Sequence, residues 1–139
     1  MSASRQRMRA PRILVVDDDV DTRELYVESF ELAGFDARGA ADATTALALA
    51  RTLVPAVITI DVSLPGMSGI EATRILKADP VTSGILVFIL TGYVDTHCSE
   101  EAAAAGCDGF IAKPCLPNAL LEHVVRALDR RGAAIDVGN

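Results

Sequence analysis

The sequence predicts an α/β fold, a parallel sheet with helices on both faces. Short aliphatic runs alternate with stretches of helical periodicity five times, and such alternation implies parallel strands joined by crossover helices. The runs Ile13–Val16 and Ala56–Ile60 are apolar and belong at the sheet centre, whereas Phe35–Gly39 is half-polar and belongs at an edge. Most runs also stop at a polar residue followed by turn chemistry. Val57-Ile58-Thr59-Ile60 ends at Asp61, and Pro65, Gly66 and Gly69 build the turn that follows. In open parallel sheets, the edge at the strand C-termini is where ligands bind.

The totals fit one domain. The chain has 139 residues, 50% of them hydrophobic, which suffices for a core. Aromatics are only 4%, so Ala, Val, Ile and Leu must fill it. A net charge of −6 and a pI of about 4.8 argue against a nucleic-acid surface. No apolar run approaches the roughly 20 residues of a membrane helix. Residues 1–11 form a basic tail with Arg5, Arg7 and Arg9 and no apolar stretch of a signal peptide. Cys98, Cys107 and Cys115 are odd in number and lack Cys-x-x-Cys spacing, so ordinary thiols in a reducing cytoplasm are expected. His97 beside Cys98 matches no common zinc pattern.

The elements follow in order. Ile13–Val16 is a buried strand ending in Asp17-Asp18-Asp19. From Val20 to Ala33 a helix carries Leu25, Tyr26, Phe30, Leu32 and Ala33 as its apolar stripe, and Gly34 stops it. Phe35–Gly39 is the edge strand. Asp42 caps a second helix bearing Ala46, Leu47, Leu49, Ala50 and Leu53, and Pro55 closes the connection to the central strand. Ser68 and Glu71 form a capping box for a third helix to Ala78, with Ile70, Ile75 and Leu76 apolar, and Asp79-Pro80 ends it. Ile85–Leu90 is a strand ending at Thr91-Gly92. Asp95–Ala105 is an alanine-rich helix stopped by Gly106. Gly109–Ala112 is a last strand ending at Lys113-Pro114. Pro117 opens a final helix with Leu120, Leu121, Val124, Val125 and Leu128 on one face. Residues 12–130 form the domain and 131–139 a patternless tail.

Parallel strands bring Asp17, Asp18, Asp61, Thr91 and Lys113 to the same sheet edge. Clustered carboxylates repel one another, and a divalent cation removes the conflict; oxygen ligands with room for water suit Mg²⁺. A metal and an ammonium neutralise phosphoryl oxygens while a hydroxyl donates to them. A carboxylate in line with phosphorus can attack it and form an aspartyl phosphate. Each residue has a plainer reading. Asp17–Asp19 can cap a helix, Thr91 can be a turn residue and Lys113 a solvated charge. Their coincidence at one edge favours the joint chemical reading.

These residues resemble a known family, the receiver domain of two-component response regulators. The matching stretches are Val15-Val16-Asp17-Asp18, Asp61 with Leu64-Pro65-Gly66-Met67-Ser68-Gly69, Leu90-Thr91-Gly92, and Gly109-Phe110-Ile111-Ala112-Lys113-Pro114. The resemblance runs from about Arg12 to Leu128 and is to stand-alone, chemotaxis-regulator-like receivers. It implies a flavodoxin-like (βα)5 sandwich with strand order 2-1-3-4-5. It implies that Asp61 is the phosphoacceptor and that Asp18, Asp61 and the Ser63 backbone carbonyl bind Mg²⁺ directly, with Asp17 acting through water. Lys113 would contact the phosphoryl oxygen, and its bond to Pro114 would be cis. Thr91 and Phe110 would form the switch, reshaping the face of the fourth helix, fifth strand and fifth helix. The family pattern does not fix Ser63 and Tyr93, two residues past Asp61 and Thr91; they are expected to flank the acyl phosphate and tune access of water, the alternative for Tyr93 being a place in solvent or in a partner interface.

The resemblance implies a cytoplasmic signalling module that catalyses only its own phosphorylation and dephosphorylation. Its partners would be a sensor histidine kinase or histidine phosphotransfer protein and a downstream protein, without direct contact to nucleic acid or membrane. With no second domain after Arg131, output would be a protein contact or a phosphoryl relay. Two alternatives compete. An aspartate-nucleophile Mg²⁺ phosphatase would use Asp17-x-Asp19, but Asp21 stands where Thr or Val is expected and no cap insertion is present. A phosphorylation-independent scaffold would not need the complete acidic pocket, Thr91 and Lys113.

Overall fold

A computed structural model describes residues 10–92 and 96–136. Among the described residues five strands alternate with five helices: β1 (Arg12–Val16), α1 (Val20–Leu32), β2 (Asp36–Ala40), α2 (Ala43–Leu53), β3 (Val57–Asp61), α3 (Gly69–Ala78), β4 (Leu86–Thr91), α4 (Thr96–Ala105), β5 (Gly109–Ala112) and α5 (Pro117–Asp136). All strand pairs are parallel, in the order β2-β1-β3-β4-β5. The half-polar strand lies at the edge, as expected, and β1 and β3 are interior. Their register pairs Ile13 with Val57 and Val16 with Ile60, so both strands finish at the same level and their terminal acids meet.

Alternating side chains split the core into two layers. Leu14, Val16, Ile58, Ile60, Val87 and Ile89 face α2, α3 and α4, where Ala46, Ala50, Ala72, Ala102 and Ala105 let the helices pack close. Ile13, Val15, Val57, Phe88, Leu90 and Ile111 face α1 and α5, meeting Tyr26, Phe30, Leu120 and Val124. The scarce aromatics sit mostly in this second layer, where Phe30 meets Phe35 edge-on at 6.0 Å.

The caps form as their residue types require. Asp42 accepts the Thr45 N–H at 2.8 Å and Ser68 accepts the Glu71 N–H at 3.1 Å. Several apolar residues assigned to buried stripes instead face out: Leu25, Leu32, Ile75 and Val125 are exposed. The buried arc of α1 is narrower than the apolar pattern, reduced to Tyr26 and Phe30, because Leu25 and Leu32 stand more than about a quarter-turn around the helix from that pair. The final helix also runs on to Asp136, past the tail expected from 131. One glycine inside a helix costs only about 1 kcal/mol, and Gly132 is followed by two alanines, the best helix formers.

Candidate functional site

The site lies at the C-terminal edge of β1, β3 and β5. Asp17 follows β1 and is anchored on three sides. Its N–H donates to the Ala40 carbonyl at 3.1 Å, its Oδ1 accepts the Asp19 N–H at 2.9 Å, and its carbonyl accepts from Arg23 Nη1 at 2.8 Å. Asp19, not Asp17, caps α1, accepting the Thr22 N–H at 2.9 Å. The cap and the site therefore divide the acidic triplet between them, leaving Asp17 buried and turned to the crevice and Asp18 exposed at its rim. Asp19's pKa is lowered first by the Thr22 hydroxyl and then by the Thr22 backbone N–H.

Asp61 is the last residue of β3 and is buried. The chain turns sharply beyond it. The Val62 N–H donates to the Leu90 carbonyl at 2.9 Å, Ser63 N–H donates to Asp61 Oδ1 at 3.2 Å, and Gly69 N–H closes back on the Val62 carbonyl at 3.0 Å. Gly66 carries a φ of +81°, which glycine adopts without penalty. Gly69 is needed for closeness: a Cβ there would run into the Asp61 carbonyl.

Lys113 closes the pocket. It follows β5, its N–H donates to the Thr91 carbonyl at 2.7 Å, and its bond to Pro114 is cis. Its Nζ donates to Asp61 Oδ2 at 3.0 Å and to Asp17 Oδ2 at 3.1 Å. Burial works against the ammonium's charge, but the two carboxylates outweigh it, first through hydrogen bonds and then through charge, and raise its pKa. One carboxylate oxygen from each of Asp17, Asp18 and Asp61 lies within 4.8 Å of the others, close enough to hold one cation. Hard oxygen donors of this kind suit Mg²⁺ or Ca²⁺ rather than a soft metal.

The structure thus brings Asp17, Asp18, Asp61 and Lys113 together. Thr91 is fully buried at the end of β4, and Ser63 is exposed above Asp61. Phe110 is half-buried on β5 against the layer that faces α2, α3 and α4. Tyr93 lies outside the described residues. Cys98, Cys107 and Cys115 form no disulfide, and His97 lies 3.8 Å from Glu101.

Two supporting residues escaped sequence reasoning. Arg23 reaches from α1 to Asp17, its stem lying over Gly39, where a Cβ would sit 3.0 Å from Arg23 Cγ and Cδ. The sequence places Tyr26 only in the apolar stripe of α1, yet its hydroxyl donates to the Cys115 carbonyl at 2.7 Å, just beyond Lys113. A tyrosine in a buried stripe is itself a signal, because its hydroxyl needs a partner that phenylalanine would not.

Three acids and an ammonium meet at the C-terminal edge of a five-stranded parallel sheet, the edge where open α/β proteins bind their ligands. The chain belongs to the response regulator receiver domain family, which matches residues 13–125. It is 39% identical over 119 residues to the DNA-binding response regulator MtrA of Mycobacterium tuberculosis, an alignment covering 86% of this chain and 51% of that protein. It is 34% identical to the phosphate regulon transcriptional regulatory protein PhoB of Pseudomonas aeruginosa, covering 91% and 57%. The chain therefore spans about half the length of these curated relatives. Among solved structures, a CheY-like receiver domain protein from Methanospirillum hungatei superposes with a TM-score of 0.83 at 31% identity, covering 90% of this chain and 98% of that one. The chemotaxis response regulator CheY4 of Vibrio cholerae gives 0.79 at 29% identity, covering 84% and 98%. The chain is accordingly a receiver domain of two-component signalling.

Proposed function

We propose that this receiver takes a phosphoryl group on Asp61 from a phosphohistidine of a sensor kinase or phosphotransfer protein, and that the modification switches a protein-binding surface. The observation that carries this reading is the pair of contacts from Lys113 to Asp17 and Asp61 beside a third carboxylate. An Asp61 carboxylate oxygen forms a bond to phosphorus while the P–N bond to the partner's imidazole breaks and its electron pair stays on nitrogen. Lys113 moves from carboxylate to phosphoryl oxygen and offsets the added negative charge. Asp17, Asp18, Asp61 and the Ser63 carbonyl would hold Mg²⁺, which supplies further neutralisation of the phosphoryl oxygens. Thr91 contributes its hydroxyl, and Thr91 with Phe110 relays the change to the face of α4, β5 and α5. Ser63 and Tyr93 tune hydrolysis by controlling the approach of water. The only catalysis is of the domain's own phosphorylation and dephosphorylation.

The proposed site of action is the cytoplasm; among the described residues no helix is long and apolar enough to cross a membrane. The acidic charge of the chain favours protein partners over nucleic acid for this domain; the DNA binding in the name of MtrA belongs to that protein. Asp19, occupied as a helix cap, weakens the phosphatase alternative that needs Asp17-x-Asp19. The test is transfer from a phosphorylated histidine phosphotransfer domain to the native chain and to Asp61→Asn. Label should reach only the native chain; transfer to both would overturn the assignment.

A further inference from the structure

We infer that Tyr26 is a positioning residue for Lys113. The inference rests on the reading of Lys113 as the cation that meets the phosphoryl group. Lys113 stands on a short connection between β5 and α5. One end is fixed where the Lys113 N–H donates to the Thr91 carbonyl at 2.7 Å. The other is fixed where the Leu116 carbonyl accepts from the Ala119 and Leu120 N–H groups at 3.0 Å, opening α5. Between these points Pro114 has no N–H to give. The Cys115 carbonyl is held from outside the loop, by the Tyr26 hydroxyl at 2.7 Å.

Tyr26 is well placed to fix that carbonyl. Its ring is buried in the layer between α1, α5 and the sheet, packed with Phe30, Leu120 and Ile111. The aromatic body is locked, and the hydroxyl is delivered at a fixed height beside the crevice. Its pKa is raised, mainly by burial, so it stays a neutral donor. Lys113 must reach two carboxylates at once, at 3.0 and 3.1 Å, and a lysine stem has four rotatable bonds. Holding the backbone two residues beyond it narrows the positions from which the ammonium reaches both. Meeting a phosphoryl group in the transition state depends on such alignment.

A buried tyrosine also needs a hydroxyl partner for stability alone, and the test separates the two roles. Rates of phosphoryl-adduct formation from acetyl phosphate are measured by intact mass across a Mg²⁺ titration carried to saturation. Native, Tyr26→Phe, Lys113→Ala and the double variant are compared, with thermal unfolding of each and with Asp61→Ala as the control for where the adduct forms. The Leu116 amide ¹⁵N shift reports the carbonyl before it and shows whether the bond exists in solution. Tyr26→Phe should move that shift and slow adduct formation about fivefold, the size set by one lost hydrogen bond. It should leave the Mg²⁺ concentration for half-maximal rate unchanged. In the Lys113→Ala background the same change should slow the residual rate less than about twofold, because nothing remains to position. Equal slowing in both backgrounds, or no slowing in either, would overturn the inference. Absence of any Asp61-dependent adduct in the native chain would instead overturn the receiver reading on which it rests.

Discussion

Lys113 offsets part of the negative charge of the three carboxylates, and its neighbours decide what replacement does. Alanine there removes the ammonium from between Asp17 and Asp61, so phosphorylation by a small donor should slow about 100-fold, the scale of a lost charge-stabilising donor. Arginine should not restore it, because a planar fork cannot take the place of a point charge at 3.0 Å. Stopped-flow or quenched mass measurements check both. The acids, Thr91 and Lys113 were legible in the sequence because each ends a strand, and parallel strands put such ends on one edge. Arg23 and Tyr26 were not. Tyr26 meets a carbonyl 89 positions away, a relation no local pattern encodes. The division of labour between Asp17 and Asp19 was equally hidden, since either is a fit cap by residue type.

At the scale of elements, turns and caps decide where the functional groups lie. The turn from β3 to α3 passes so close to Asp61 that Gly69→Ala should destabilise the fold by about 1–3 kcal/mol, the range for forced overpacking, and displace Asp61. Chemical denaturation measures the first, and loss of adduct formation the second. The end of α2 offers the reverse opportunity. Val54 is β-branched yet holds a φ of +42°, a left-handed conformation that costs such residues about 1–2 kcal/mol. Val54→Asn should therefore stabilise the protein by about 1 kcal/mol, seen as a raised Tm. At the other end of α2, Asp42's pKa is lowered from 3.8 by the Thr45 backbone N–H and then by the Thr45 hydroxyl. A depressed folded pKa means that the unfolded chain binds the proton first. The stability from this cap is thus complete above 3.8 and is lost as pH falls through the lower folded value. The Tm gap between the native chain and Asp42→Ala should be widest near neutrality and shrink in an acid titration followed by circular dichroism. Helix positions were readable from apolar spacing and caps. Which apolar residues are buried was less so, because Leu25 and Leu32 stand more than about a quarter-turn around α1 from the buried Tyr26 and Phe30.

The whole molecule is two apolar layers around one sheet, and the site sits where the layers end. Leu120 on α5 is fully buried in the layer that also holds Tyr26. Leu120→Ala should cost about 2–5 kcal/mol by opening a cavity. Strand order was expected from family resemblance and from the half-polar character of one strand, and β2 does lie at the edge. The extent of the last helix was not foreseen, since the residues after Arg131 carry no apolar periodicity. The central claim is that this scaffold delivers Asp61 as a phosphoacceptor, and the most direct measurement is intact mass after incubation with a small acyl phosphate donor. It is run with and without Mg²⁺, beside Asp61→Ala. One Mg²⁺-dependent phosphoryl adduct, absent from Asp61→Ala, is the expected result. A native chain that gains no phosphoryl mass, and whose spectrum ignores a stable phosphoryl mimic with Mg²⁺, would contradict the account.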